Sequence, residues 1–310
     1  MPAATGSRGV DVRSIVAVAM SRATTRRGTV PADDVELAYV RLGSGPPVVV
    51  VPGGPRLGHA HLRPGFDLLA RGREVVYYDE RGSGASPLGD PERVSTAGTL
   101  SDLEALLDGL ALERATLAGH SLAAHMVALF AASRPDRVRA LVLANPGPPL
   151  LPELREPFSS EMASRRSPED AEEMQRIEAS PEYQARDPEA LERHYRLRYS
   201  PFFRDRGAAL KTDFAITKIT ADNVLEAGGR LFRDFAEHDL PGKLSAIPCP
   251  TLVVHAALDP IPVESSRFIA NAIPRAELVV IPNANHYASI EDPEEFARAI
   301  EPFLAEHASG

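Results

Sequence analysis

Three residues that together can make a reactive alcohol occur in separate parts of the chain, each after a run of apolar residues. Ser121 is the centre of the string Gly-His-Ser-Leu-Ala at residues 119–123, and Asp259 and His286 follow much later. A serine hydroxyl becomes a strong nucleophile when a base removes its proton, and a carboxylate on the other imidazole nitrogen orients that base. The sequence predicts Ser121 as nucleophile, His286 as base and Asp259 as the acid that orients it.

The surroundings of Ser121 are those of a tight turn between a strand and a helix. A short apolar run precedes it, and a small-residue segment with helical character follows it. Such a turn lifts the serine hydroxyl clear of the sheet, and it requires small residues two positions before and two after the serine. Gly119 meets this requirement, and Ala123 departs from the usual glycine by one methyl group.

An attacked carbonyl also needs amide donors for its developing negative charge. The amide of Leu122, directly after the serine, is one candidate. The second is Gly54, in the loop that follows the apolar run at residues 48–51. Glycine lets backbone approach a ligand closely, and the flanking Pro52 and Pro55 restrict the loop. The sequence therefore predicts Gly54 and Leu122 as the oxyanion hole.

The elements that must position these residues alternate between strands and helices. Apolar, β-branched runs bounded by turn residues are typical of buried strands. Six such runs are predicted, at residues 48–51, 74–78, 115–118, 138–144, 251–255 and 278–281, with a weaker one at 35–41. Helical spacing is found at residues 101–110, 122–133, 263–273 and 293–305. Strands alternating with helices predict an α/β fold with a mostly parallel central sheet and helices on both faces.

One long segment interrupts this alternation. Residues 146–247 contain no strand pattern, but they do contain helix starts at Ser167 and Asp187, each followed by proline and acidic residues. We predict an inserted helical lid there. The predicted organisation is a loose leader at residues 1–27, a core at 28–145, the lid at 146–247, and the rest of the core at 248–310.

Half of the aromatic residues lie in this predicted lid, nine of the eighteen Phe and Tyr. Among them are Phe202, Phe203, Phe214, Phe232 and Phe235. They either form a small core for the lid itself or line an apolar substrate pocket above the sheet. The sequence leaves both interpretations open, and it assigns no individual substrate-binding residue.

Composition excludes several other classes. The net charge of −9 argues against nucleic acid, because phosphates are bound by excess Lys and Arg. No apolar run is long enough to span a bilayer, so no membrane partner is expected. Cys249 is the only cysteine, which fits a cytoplasmic protein, with secretion left open. His59 and His61 are too few for a metal site, and no dinucleotide motif occurs, so neither metal nor cofactor is expected.

Several motifs resemble those of the α/β-hydrolase superfamily, and within it the proline iminopeptidase-like group. The similar stretches are residues 52–55 (Pro-Gly-Gly-Pro, where that group has His-Gly-Gly-Pro), 78–86, 119–123, 248–255 and 285–286. The resemblance extends from about Thr29 to the end of the chain. It implies the α/β-hydrolase fold, the triad of Ser121, Asp259 and His286, and an oxyanion hole at Gly54 and Leu122. In that family Asp79 and Arg81 mainly brace a turn.

Two departures from this group bear on the reaction. Pro52 replaces a histidine, and Leu122 stands where iminopeptidases typically have tryptophan. An aminopeptidase must also bind a free α-ammonium, for which lid residues Glu182, Glu189 and Glu192 are the candidates. We expect a hydrolase of an ester, thioester, lactone or amide bond in a small, partly apolar substrate. The alternatives are an iminopeptidase-like aminopeptidase, an acyltransferase or carbon–carbon bond hydrolase, and a ligand-binding protein. The oligomeric state stays open.

Overall fold

Eight strands pair into one sheet in the computed structural model, which describes residues 24–54 and 56–308. The strand order across the sheet is β1-β2-β4-β3-β5-β6-β7-β8. The strands are β1 Thr25–Ala32, β2 Val35–Gly43, β3 Pro47–Val51, β4 Glu74–Tyr78, β5 Ala115–His120, β6 Val138–Ala144, β7 Thr251–Ala256 and β8 Ala276–Ile281. β1 and β2 run antiparallel to their neighbours, and every other pairing is parallel. This confirms the predicted, mostly parallel sheet.

Helices cover both faces of the sheet, as the alternation predicted. One face packs against α2 Thr96–Gly109, α3 Leu122–Ser133 and α11 Val263–Ala272, and the other against α1 Arg63–Phe66 and α13 Pro293–His307. The central strand β3 is shielded from water on both sides, so that Val48 to Val51 have no exposed surface. A short helix, α12 Ala288–Glu291, follows the loop after β8.

Between β6 and β7 the chain forms helices and no strand. These are α4 Arg155–Arg165, α5 Pro168–Glu178, α6 Pro181–Gln184, α7 Pro188–Tyr199, α8 Arg206–Lys211, α9 Lys218–Ala236 and α10 Leu240–Lys243. The predicted helix starts are confirmed, because the side chains of Ser167 and Asp187 accept hydrogen bonds from the amides of Asp170 and Ala190. Of the helices that are described, none has both the length and the apolar character needed to cross a membrane.

The first strand, β1, was not predicted from the sequence, whose first predicted strand lies at residues 35–41 and corresponds to β2. Residues 25–27, assigned to the loose leader, belong to β1, whereas residues 1–23 lie outside the described part of the chain. Arg26 and Arg27 at the start of β1 interrupt the apolar pattern that predicts a strand. They are compatible with a strand because β1 is at the sheet edge, where Arg26 forms an ion pair with Glu74 and Arg27 pairs with Val40.

Candidate active site

The register of the parallel strands brings the predicted site residues to one edge of the sheet. Val51 pairs with Gly119, so the loop after β3 lies beside the turn that carries Ser121. The final residue of β7, Ala256, pairs with Ile281 at the end of β8. Asp259 and His286 follow these two strand ends within a few residues. All three predicted residues therefore leave the sheet at the carboxyl ends of parallel strands.

Ser121 adopts a backbone conformation that is rare for any residue except glycine. Its φ of 57° and ψ of −124° place it outside the regions that side chains with a Cβ prefer. Its amide donates to the carbonyl of Ala144, and its carbonyl accepts from the amide of Gly147, which holds the turn in place. The serine is half-buried and directly precedes α3. This is the tight strand-to-helix turn that the sequence predicted.

The size restriction two residues before the serine has a direct cause. A Cβ on Gly119 would lie 2.4 Å from the carbonyl oxygen of Ala123 and 2.7 Å from the amide nitrogen of Ala124. Both are backbone atoms of the first turn of α3, so they have no freedom to move aside. Ala123 itself is buried, and its methyl group is accommodated where the family pattern has glycine.

Asp259 and His286 form a buried hydrogen-bonded pair. His286 Nδ1 donates to Asp259 Oδ2 at 2.8 Å, which leaves Nε2 as the imidazole nitrogen that is free to accept a proton. The same carboxylate oxygen accepts from Asn145 Nδ2 at 2.8 Å, and Oδ1 accepts from the amide of Ile261 at 2.9 Å. Three donors thus fix the carboxylate and aim it at one imidazole nitrogen.

Electrostatics keep this carboxylate ionised. Burial of Asp259 opposes ionisation, but the positive charge of His286 and the hydrogen bonds to the carboxylate outweigh burial and lower the pKa of Asp259 below its ordinary value. A carboxylate at this position can therefore stabilise a positively charged imidazole.

The loop after β3 packs directly on the serine turn. A Cβ on Gly53 would lie 2.0 Å from the carbonyl oxygen of His120, so only glycine allows this approach. Gly54 has a φ of +85° and faces open space, where an added Cβ would meet nothing closer than the hydroxyl of Tyr199, at 3.7 Å. Leu122 is the first residue of α3, and its amide has no acceptor within the helix. Gly54 thus follows the residue that packs on His120, and Leu122 directly follows Ser121.

A buried charged network supports the base of this loop. Arg56, which has no exposed surface and a φ of 64°, donates to the carbonyl of Arg81 and to Thr99 Oγ1. Arg81 in turn forms a bidentate ion pair with Asp102. Burial raises the pKa of Glu80 to about 7, although the charge of Arg56 opposes this. Glu80 Oε2 has no hydrogen-bond partner among the described residues.

The raised pKa of Glu80 predicts a specific pH dependence of stability. A carboxyl group whose pKa is higher in the folded than in the unfolded protein stabilises the fold below its unfolded pKa, and that contribution is lost as the pH rises to the folded pKa. We expect the unfolding free energy of Glu80→Gln minus that of wild type to increase by about 3 kcal/mol as the pH rises from 4.5 to 7.5. Urea unfolding across this range measures it, with the exposed Glu36→Gln as control; parallel curves for wild type and Glu80→Gln would contradict the prediction.

An aromatic side chain of the helical segment at residues 146–247 packs on the imidazole of His286, and further rings extend from it. The ring of Phe202 lies 4.4 Å from the ring of His286, centroid to centroid, and the ring of Tyr199 lies 6.0 Å from that of Phe202. Tyr287 and Phe214 complete this aromatic wall, with their ring centroids 6.1 Å apart. Phe214 and the neighbouring Phe203 are also buried in a small apolar cluster with Leu57 of the core. This packing agrees with the small-core interpretation, and the lining of a substrate pocket by these aromatic residues stays a prediction.

The lid carboxylates suggested for binding an α-ammonium are placed elsewhere. Glu182 and Glu189 are exposed. The carboxylate of Glu192 accepts hydrogen bonds from the amides of Phe214 and Ile216, and it also pairs with Arg196. Glu192 is thus committed to the backbone of the lid.

Three side chains at the site were not predicted from the sequence: Asn145, His120 and Phe202. Asn145 donates a hydrogen bond to Asp259. The sequence could have indicated it, because an amide side chain directly follows the apolar run of β6 and therefore lies at the same sheet edge. His120 lies within the serine string itself, and its ring is 4.7 Å from that of His286. Phe202 had no signal beyond membership of an aromatic-rich segment.

Comparison with known proteins agrees with this fold. The family model of the alpha/beta hydrolase fold matches residues 46–293. A protein of Pseudomonas syringae pv. syringae (strain B728a) named "Putative carbamate hydrolase RutD" is 30% identical over 241 residues, which cover 77% of this chain and 86% of that protein. The 2-hydroxy-6-oxononadienedioate/2-hydroxy-6-oxononatrienedioate hydrolase 2 of Pseudomonas putida is 30% identical over 300 residues, covering 87% and 92%.

The fold is also found in solved structures. The crystal structure of proline iminopeptidase from Mycobacterium smegmatis superposes with a TM-score of 0.68 over 91% of this chain and 99% of that chain, at 21% sequence identity. At this identity the likeness concerns the fold. Together with the matched family model, these findings show that the chain belongs to the α/β-hydrolase family and is an enzyme of the hydrolase class.

Proposed function

We propose that this protein is a serine hydrolase that cleaves an ester, thioester, lactone or amide bond of a small, partly apolar substrate through an acyl-enzyme. The observation that carries the proposal is the buried Asp259–His286 pair beside the strained turn of Ser121. A general base held by a carboxylate, next to a serine raised on such a turn, is the arrangement that nucleophilic acyl transfer requires.

The proposed reaction has two halves. His286 Nε2 takes the proton of the Ser121 hydroxyl as its oxygen attacks the substrate carbonyl, and the imidazolium is stabilised by Asp259. The proton then passes from His286 to the leaving group as the carbon–leaving-group bond breaks, which gives the acyl-enzyme. Water, deprotonated by the same imidazole, attacks the acyl-enzyme and releases the acid and free Ser121.

Two amides would stabilise the negative oxygen in both halves. Leu122 offers an amide at the positive end of α3, and Gly54 offers the other from the loop held by Gly53. The aromatic wall at Phe202, Tyr199, Tyr287 and Phe214 carries no charged group, which favours an apolar acyl or leaving group. The placement of Glu182, Glu189 and Glu192 gives no support to recognition of a free amino terminus, so we place the aminopeptidase second.

The two glycines of the oxyanion loop should respond differently to the same substitution. Gly53→Ala sets a methyl group against the backbone of His120, so the loop must move; we expect kcat to fall about 100-fold, as for a displacement of roughly 1 Å at a reacting centre. Gly54→Ala meets open space and carries only the strain of positive φ, about 1 kcal/mol. Ester kinetics and thermal unfolding of both variants test this, and equal activity of the two variants would contradict it.

The proposal itself is tested with the wild-type protein. A fluorophosphonate probe should label the protein stoichiometrically, and peptide mapping should find the label on Ser121. Turnover of p-nitrophenyl acetate and butyrate should exceed that of prolyl and alanyl p-nitroanilides. Absence of labelling would overturn the serine mechanism, whereas faster anilide than ester cleavage would favour the aminopeptidase.

A further inference from the structure

His120 lies where three loops of the site meet. Its own carbonyl contacts Gly53 of the oxyanion loop, and its side chain reaches the loop that carries His286. The Nε2 atom of His120 is 2.9 Å from the backbone carbonyl oxygen of His286, a residue 166 positions away in the chain. Its ring also contacts the rings of His286 and Tyr287, at 4.7 Å and 5.1 Å between centroids.

The chemistry of this contact fixes the proton of His120. A carbonyl oxygen can only accept, so Nε2 must carry the hydrogen. Burial lowers the pKa of His120 well below its ordinary value, and the neighbouring His286 lowers it further, so the ring is neutral with one N–H. Nδ1 is then an acceptor, and it has no partner among the described residues.

This hydrogen bond adds a second restraint on His286. Asp259 holds the imidazole ring, and the His120 bond holds the backbone carbonyl of the same residue. Since His120 directly precedes Ser121, the bond links the backbone of the base to the backbone of the nucleophile. A buried acceptor without a partner destabilises a fold, so the unpaired Nδ1 is a cost that comes with keeping the Nε2–H donor at this position.

We propose that His120 is a positioning residue: its Nε2–H ties the His286 loop to the Ser121 turn and sets the distance between base and nucleophile. The inference rests on the proposed serine mechanism, and it assigns a role other than filling space to His120, the second residue of the serine string. His120 itself exchanges no proton with substrate.

Two substitutions separate the hydrogen bond from the bulk of the ring. His120→Gln places an amide N–H near the position of Nε2 and preserves the donor, whereas His120→Phe preserves an aromatic ring and removes the donor. We expect His120→Phe to lower kcat on p-nitrophenyl butyrate about 10- to 100-fold with KM changed less than about threefold, as misplacement of a reacting group should. We expect His120→Gln to retain kcat within about fivefold of wild type.

A matched control lies one helical turn further along. His125 is equally buried, its Nε2 is 2.9 Å from the carbonyl of Pro148, and its ring stacks on Phe235. His125→Gln and His125→Phe make the same chemical changes away from His286. Both should leave kcat within about twofold of wild type if the folded fraction is equal. A kcat pattern at His125 that matches the pattern at His120 would show a general packing effect and overturn the proposal.

A second measurement is independent of turnover. In protein labelled with ¹⁵N-histidine, the Nδ1–H of His286 that bonds to Asp259 should give a low-field proton resonance. His120→Phe should shift or broaden it and speed its exchange with water, whereas His120→Gln and both His125 variants should preserve it. Identical His286 resonances in wild type and His120→Phe would overturn the inference. Failure of wild type to react with fluorophosphonate would instead overturn the proposed function, so the two failures are distinguishable.

Discussion

Ser121→Ala is expected to abolish fluorophosphonate labelling and to lower kcat/KM for p-nitrophenyl esters by about 10⁴-fold or more. The substitution removes only the Oγ atom, and the backbone strain of the turn is the same for alanine as for serine. The fold should therefore survive, with an unfolding free energy within about 0.5 kcal/mol of wild type. Ser133→Ala is the matched control, because it removes a hydroxyl that bonds to Leu129 at the other end of α3.

Ser121→Gly adds a second, opposite readout. Glycine adopts a φ of 57° and a ψ of −124° without strain, so this variant should lose activity and gain about 1 kcal/mol of stability. Loss of function with a gain in stability is the signature of a residue retained for chemistry. Residual labelling of Ser121→Ala, or a Ser121→Gly variant less stable than Ser121→Ala, would contradict this account of the turn.

Asp259→Asn is expected to lower kcat by about 10⁴-fold while the site keeps its shape. Asn145 Nδ2 donates to the carboxylate oxygen that receives His286 Nδ1–H. In the variant, an amide oxygen at the position of Oδ1 would keep the hydrogen bond from the Ile261 amide, and the NH₂ group at the position of Oδ2 would face His286. The imidazole would then carry its proton on Nε2, the atom that must accept a proton from Ser121.

The effect is measured as kcat on p-nitrophenyl butyrate, with thermal unfolding to confirm the fold. Asp67→Asn is the control, because Asp67 is a buried carboxylate that accepts from the hydroxyl of Tyr77 away from the site. It should keep activity within about threefold of wild type. An Asp259→Asn enzyme within tenfold of wild type would show that the carboxylate does not set the imidazole tautomer.

Much of the fold could be predicted because the apolar pattern of each segment agrees with its burial in the folded protein. The four consecutive valines of β3 are fully buried, as a strand covered on both faces must be. The helix at residues 122–133 was predicted with the bounds that α3 has, since a small-residue, apolar segment between two strands can lie only against the sheet. β1 was missed because Arg26, Arg27 and Pro31 are tolerated only at an edge, and edge position is not visible in local pattern.

The residues of the candidate site also fall into two groups, those placed by local sequence pattern and those placed by side-chain direction. The position of Ser121, Asp259 and His286 at one sheet edge was predictable, because each follows a recognisable strand and parallel strands end at one edge. Asn145, His120 and Phe202 were not, because their contacts depend on side-chain direction across loops that are 84 to 166 residues apart. Sequence spacing constrains backbone position, and it constrains rotamers far less.

The lid joins the core at two strands that are direct neighbours. Ala144 at the end of β6 pairs with Val254 of β7, and the next residue, Asn145, donates its amide to the carbonyl of Val254. The inserted segment of roughly a hundred residues therefore begins and ends at two paired strands. Asp259 and His286 both follow this segment in the sequence. The entropic cost of loop closure grows only slowly with loop length, so inserted segments of many lengths can connect β6 to β7. Exchange of the whole helical segment at residues 146–247 between related enzymes is therefore expected to leave the Asp259–His286 hydrogen bond in place.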